Sequence, residues 1–206
     1  MTYYVGDSPA QDLVVEPMRG EEPMDLSHFD SCSVTLHDEA GVEVPTAGFF
    51  ASIDEDSIII EWPGGDLFEV AGMYSLRLVL ENAGGARERL APVYIVAQGD
   101  DGWLTLDGAR EGWADAEALP DRLLYTLLAV AKRDVLKFAP PIIEGALPPI
   151  EYVKAQGDQA RNKLNAAKVD PASGGLGDDS FVVKPFPLDW TIRQTLRPKR
   201  GVPVIA

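Results

Sequence analysis

Over the first 98 residues the apolar positions come in short runs and alternations, with no helical period between them. Leu13-Val14-Val15, Ser33–Leu36, Ala47–Ala51, Ser57–Trp62, Tyr74–Leu80 and Pro92–Ala97 each read as a strand. Turn signals separate them, at His37–Gly41, Asp54-Glu55-Asp56, Trp62–Asp66 and Asn82–Gly85. Strands at this spacing predict an antiparallel β-sandwich over residues 1–98. From Pro120 the period changes. Leu124, Leu127, Leu128, Ala131, Val135 and Phe138 follow three- and four-residue spacing, which predicts a helix from Pro120 to Ala139, opened by Pro120 and stopped by Pro140-Pro141. Buried large side chains in such a stripe contribute roughly 1.5–3 kcal/mol each. A second helix is predicted from about Ile150 to Lys168, with a thinner apolar face of Ile150, Val153, Ala160, Leu164 and Ala167. Its exposed positions are expected to be Lys154, Gln156, Gln159, Arg161, Asn162 and Lys163, and Gly157 permits close helix approach.

Between these blocks, residues 99–112 hold four glycines and mixed charge and read as a linker, though Trp103, Leu104 and Leu106 imply that it docks on a neighbour. Asp170–Asp179 reads as a flexible loop, followed by a strand or hairpin arm over Phe181–Phe186 and a short helix starting near Asp189 and ended by Pro198. The expected organisation is 1–98, a 99–112 linker, a helical domain over 113–180, and an arm with a short helix over 181–206.

Charge sharpens this division. The chain of 206 residues carries a net −15. Residues 1–112 hold five basic and 22 acidic side chains, residues 113–180 eight and ten, and residues 181–206 five and one. An acidic body disfavours nonspecific attraction to DNA or anionic lipid. With 46% hydrophobic residues the chain can build real cores, and no run approaches the ~18 apolar residues of a membrane span. Met1–Asp7 has neither the basic start nor the apolar core of a signal peptide, and the single Cys32 rules out an intrachain disulfide. A cytoplasmic compartment, or a particle assembled there, is expected. The basic end, with Lys184, Arg193, Arg197, Lys199 and Arg200, fits an arm docking on another polypeptide, a phosphate contact or a solvated tail. The acidic body favours the arm, and the ten residues from Arg197 can span up to ~33–36 Å.

Candidate chemistry is sparse. Gly174-Gly175-x-Gly177 lacks the Gly-Lys-Ser/Thr ending of a phosphate loop and reads as a mobile loop. His28 and His37 have no Cys or Glu at zinc-site spacing. Asp54-Glu55-Asp56 and Asp100-Asp101 lack the full pattern of a calcium loop, and Ser27-His28 has no triad logic beyond adjacency. Among 33 acids no pair is marked for glycoside chemistry. No enzyme activity, cofactor or metal is expected.

Two resemblances enter here. Glu69-Val70-Ala71-Gly72-Met73-Tyr74 resembles the tyrosine corner of immunoglobulin-like folds, in which a Tyr hydroxyl bonds back to upstream backbone. Tyr74 is then structural, and Trp62 and Phe50 must supply the central packing that antibody domains partly draw from a disulfide. Residues 113–206 carry Trp113-Ala-Asp115, Leu119-Pro120-Asp121, Phe138-Ala139-Pro140, Ala160-Arg161-Asn162, Phe186-Pro187-Leu188-Asp189-Trp190 and Arg193-Gln194-x-Leu196-Arg197-Pro198-Lys199. These are similar to the head-to-tail connector (adaptor) proteins of tailed phages that infect actinobacteria. The Leu-Asp-Trp…Arg-Pro-Lys segment is the most specific part.

The resemblance implies a structural virion protein at the neck, assembled in the host cytoplasm. It implies a ring of neighbouring adaptor subunits, commonly dodecameric, beneath the portal protein. Other neck or tail proteins are further partners, and genomic DNA passes through without specific binding. Phe186, Leu188, Trp190, Leu196, Arg197, Lys199 and Arg200 are then portal or partner contacts, and Leu124, Leu128, Val135 and Phe138 are core. The large β region departs from the helical adaptor pattern. It resembles immunoglobulin-like modules added to virion proteins, including the N-terminal domain of phage baseplate upper proteins. The alternative is therefore a tail or baseplate module whose β-sandwich recognises a host glycan or protein.

Overall fold

The computed structural model describes residues 1–7, 9–45, 48–65, 67–168 and 188–197, with the backbone alone at 167 and 168. The chain divides into two compact units, Met1–Asp100 and Asp101–Ala206. The first is built of β-sheet and the second of helices.

Among the described residues ten strands form the first unit: β1 (Thr2–Tyr4), β2 (Leu13–Val15), β3 (Met18–Arg19), β4 (Glu22–Pro23), β5 (Ser31–His37), β6 (Phe50–Asp54), β7 (Ser57–Glu61), β8 (Gly72–Glu81), β9 (Arg87–Arg89) and β10 (Val93–Gln98). The larger sheet runs β1-β10-β8-β5, with β9 also on β8; a second runs β2-β7-β6; β3 and β4 make a small hairpin. Every pairing is antiparallel except β1 with β10, which is parallel, from Thr2↔Val96 to Tyr4↔Gln98. β8 shows why the sheet holds: Tyr74, Leu76, Leu78 and Leu80 point inward in strict alternation with Met73, Ser75, Arg77 and Val79. Leu13, Ile58 and Ile60 of the second sheet meet them, together with Leu36 and Ile95, in one core.

The aromatic centre differs from expectation. Phe50 is 59% exposed, whereas its neighbour Phe49 packs on Trp62 at 5.8 Å between ring centroids. Adjacent positions of an extended chain face opposite ways, so only one of the two phenylalanines can turn inward. The central ring is Phe68, fully buried, with Tyr3 stacked at 5.3 Å, Tyr74 edge-on at 5.2 Å and Trp62 at 6.4 Å. Trp62 is half-buried, and its Nε1 donates to the carbonyl of Gln11 at 2.9 Å. The Tyr74 hydroxyl donates back to the carbonyl of Val70 at 2.7 Å.

Cys32 lies half-buried on β5, and burial pushes its thiol up to about 11. The thiolate is the reactive form, so alkylation by iodoacetamide at pH 8 is expected to run roughly a hundredfold slower in the native chain than in the unfolded one. Equal rates, followed by mass spectrometry, would show the thiol to be accessible and ordinary.

The second unit contains α1 (Leu106–Gly112), α2 (Ala114–Glu117), α3 (Asp121–Phe138), α4 (Ile150–Lys168) and α5 (Trp190–Leu196). The stretch 99–112 is therefore no plain linker. Thr105 caps α1 by accepting from the Gly108 N–H, and Leu106 and Ala109 are buried. α3 starts just after Pro120 and buries Leu124, Leu128, Ala131 and Val135, with Phe138 half-buried beside them.

α4 has the expected bounds but a different buried face. Ile150 is exposed, while Tyr152, Ala155, Gln156, Gln159, Ala160 and Leu164 are buried. Gln156 and Gln159, expected in solvent, are buried. The Gln156 amide donates to the carbonyl of Leu128 at 3.1 Å, and its Oε1 accepts from the Leu104 N–H at 2.9 Å. Gln159 donates to Asp134 at 3.2 Å, and Lys163 pairs with the same carboxylate at 2.8 Å. A buried amide with both ends bonded behaves as core, so polarity alone misplaced this face. Arg110 pairs with Asp121 at 2.6 Å and ties α1 to α3.

Candidate docking surface on the last helix

α5 is capped by Asp189, whose carboxylate accepts from the Thr191 hydroxyl at 2.6 Å and from the Thr191 N–H at 2.8 Å. These two donors hold the Asp189 carboxyl below the usual carboxylate range. A depressed folded-state value makes the cap stabilising above the ordinary value of 3.8 and weakens it as pH falls through the lowered one. At neutral pH the cap is therefore ionised.

The two faces of α5 have different fates. Leu188, Ile192 and Leu196 recur at four-residue spacing and are buried against Val135, Ala139, Tyr152 and Ala155. Leu188 and Leu196, expected to grip another polypeptide, are thus held in the chain's own core. Arg193 and Arg197 lie over the Phe138 ring, with their guanidinium carbons 5.6 and 5.0 Å from its centroid. Arg197 keeps an exposed side chain but is seated on its own α3. Trp190 is the residue left outward, with 67% of its surface exposed. Phe186, Lys199 and Arg200, together with Lys184, the Asp170–Asp179 loop and the Phe181–Phe186 arm, lie outside the described residues.

Other residues expected in the helical unit come together. The Arg161 guanidinium sits 5.9 Å from the centroid of the Trp113 ring and donates to the carbonyl of Gly112. Lys132 pairs with Asp101 at 2.5 Å and lies over Trp103 at 5.1 Å. Trp103 thus contributes to its own unit, a role visible in sequence only as an aromatic among glycines.

Within the β unit a cleft of about 840 Å³ is lined by Asp38, Glu39, Glu69, Val44, Pro63 and Tyr74 among others. Burial, with the Asp38 and Glu69 charges adding to it, pushes the Tyr74 hydroxyl above its ordinary range and keeps it a neutral donor to Val70. Among the described residues lining this cleft there is no His, Cys, Ser or Lys to act as nucleophile or base. His37 bridges the Thr35 hydroxyl at 3.1 Å and the Gly41 carbonyl at 3.2 Å, as a turn residue does. His28 is exposed, 3.6 Å from Asp25. Among the described residues no three His, Cys, Asp or Glu side chains gather as metal ligands, and no helix is long and apolar enough to cross a membrane.

No protein-family model matches the chain, and no curated protein matches it.

Proposed function

We propose that this chain is a structural virion protein, a head-to-tail adaptor that forms a ring beneath the portal and joins capsid to tail while DNA passes through. The observation that carries this reading is Trp190: a large ring held out to solvent on a helix whose other face is locked into a core. Buried aromatic anchors dominate interface energetics, and an indole on a rigid base loses little freedom on docking. The segments that carry the resemblance also pack on one another. Trp113 meets Arg161, and Phe138 lies under Arg193 and Arg197. In this reading the β unit is an immunoglobulin-like sandwich, supported by the back-bond from Tyr74 to Val70. The helical unit is the adaptor domain, and α5 belongs to its core and not to a docking arm. Residues 198–206, with Pro198, Lys199 and Arg200, follow directly from α5 and supply basic and apolar groups for the portal.

The second reading, a module recognising a host glycan or protein, has the β-unit cleft in its favour. Sugar rings bind by stacking on exposed aromatic faces, and Tyr74, the one aromatic among the described lining residues, is buried. The cleft therefore offers carboxylates without a stacking platform.

The test is co-purification with the portal protein of the same particle, together with particle images of the neck. Trp190→Ala, and separately loss of residues 198–206, should each cut the portal-bound fraction tenfold or more, and Asp56→Ala should leave it unchanged. If both alterations bind and assemble like the parent, the adaptor reading is wrong.

A further inference from the structure

The loop between α3 and α4, residues 139–149, carries an apolar display. Ile143, Leu147 and, at the start of α4, Ile150 are 82%, 71% and 74% exposed. Scattered exposed aliphatics need no explanation, but three within eight residues on a stiffened loop do. Pro140, Pro141, Pro148 and Pro149 fix four backbone angles. Gly145 at φ +77° completes a turn closed by the Ala146 N–H on the Ile143 carbonyl at 3.0 Å. The Tyr152 hydroxyl holds the Pro140 carbonyl at 3.0 Å. At Gly102, φ +75°, an added Cβ would lie 2.9 Å from the Pro148 ring and 3.0 Å from Leu147, so the loop rests directly on that backbone. The apolar groups are thus held in place before anything binds them, which lowers the entropy lost on docking.

The same unit carries a surface that fits this display. A shallow depression of about 370 Å³ on α3 is lined by Ala129, Lys132, Arg133, Leu136 and Lys137, and its walls are nearly all carbon. Leu136 is exposed there, so the chain's own loop does not fill it. The charges match as well. Glu144 and Glu151 flank the apolar loop side chains, and Arg133 and Lys137 flank the depression; none of these four makes an ion pair among the described residues. Two complementary surfaces on one chain are satisfied by a second copy of it. The balance of charge also favours this unit, since residues 113–180 are near neutral while residues 1–112 hold most of the excess acid that would drive copies apart.

We propose that the α3–α4 loop of one copy, led by Ile143, Leu147 and Ile150, docks on the Ala129–Lys137 face of α3 in a second copy. The inference rests on the ring of the adaptor reading and names the surfaces that join its copies; because the experiment leaves out the portal, its failure is distinct from failure of portal docking. The test uses the full chain alone, from about 10 µM to 1 mM in physiological salt, where long-range repulsion is screened, followed by native mass spectrometry and sedimentation. Concentration-dependent association of the parent is expected. A loop-reversed variant (Glu144→Lys with Glu151→Lys) and a face-reversed variant (Arg133→Glu with Lys137→Glu) should each associate at least tenfold more weakly. An equimolar mixture should regain association, because each reversed surface then finds its complement. Circular dichroism confirms that these exposed replacements leave the fold intact. A parent that stays monomeric at 1 mM, a single variant that associates like the parent, or a mixture that stays monomeric would each overturn the proposal, whatever the portal experiment returns.

Discussion

A chain ending at residue 187 is expected to lose most of the stability of its helical unit, whereas one ending at residue 197 keeps it. Leu188, Ile192 and Leu196 fill the groove formed by Val135, Ala139, Tyr152 and Ala155. Three such side chains contribute roughly 5–9 kcal/mol when buried, against a stability of about 5–15 kcal/mol for a typical domain. The loss also uncovers Phe138, which Arg193 and Arg197 now cover. Hydrogen exchange read at the amides of α3 and α4 is the right measurement, because a chain of two units need not unfold in one step. Undiminished protection of those amides in the shorter chain would mean that α5 adds nothing to the core. The result also decides how the adaptor reading can be tested: a cut before α5 confounds docking with folding, and a cut after it does not.

Phe68→Ala is expected to cost the β unit about 3–5 kcal/mol, the range for emptying an aromatic site in a close-packed core. Phe68 is fully buried, and three rings, Tyr3, Trp62 and Tyr74, lean on it. Their shared partner disappears and the void cannot close without moving strands. Phe50→Ala, at a ring mostly in solvent, should change stability by about 0.5 kcal/mol or less. Denaturant titration followed by exchange at the β8 amides separates the two, and comparable losses from both would contradict the observed packing.

These residues also show what a sequence can and cannot disclose. The bounds of α3 and the start of α4 were legible because prolines punctuate them, at Pro120, Pro140-Pro141 and Pro148-Pro149. The buried face of α4 was not, because Gln156 and Gln159 are polar by composition and become core only through partners on α3 and at Leu104. Phe49 and Phe50 are equivalent in sequence, and strand register alone decides which turns inward. Phe68 sits in Leu67-Phe68-Glu69, outside any strand, with no period to mark it. The glycines of 99–112 obscured α1, although Thr105 ahead of Leu106 and Asp107 is a helix-start signature. At the candidate site, composition found α5 and Trp190 but could not tell its two faces apart. The Leu188, Ile192, Leu196 spacing could have done so, had it been read as a stripe.

The parallel pairing of β1 with β10 has a mechanical consequence. The two strands run in the same direction, and the Val96 N–H on the Met1 carbonyl and the Val5 N–H on the Gln98 carbonyl close the two ends of the pair. Tension drawn between the amino terminus and whatever follows Gln98 slides these strands past each other lengthwise. The bonds then share the load and must rupture together, where a hairpin pulled from its open end would unzip one rung at a time. The β unit is therefore braced against pulling along the chain in the direction in which its two covalent ends are attached.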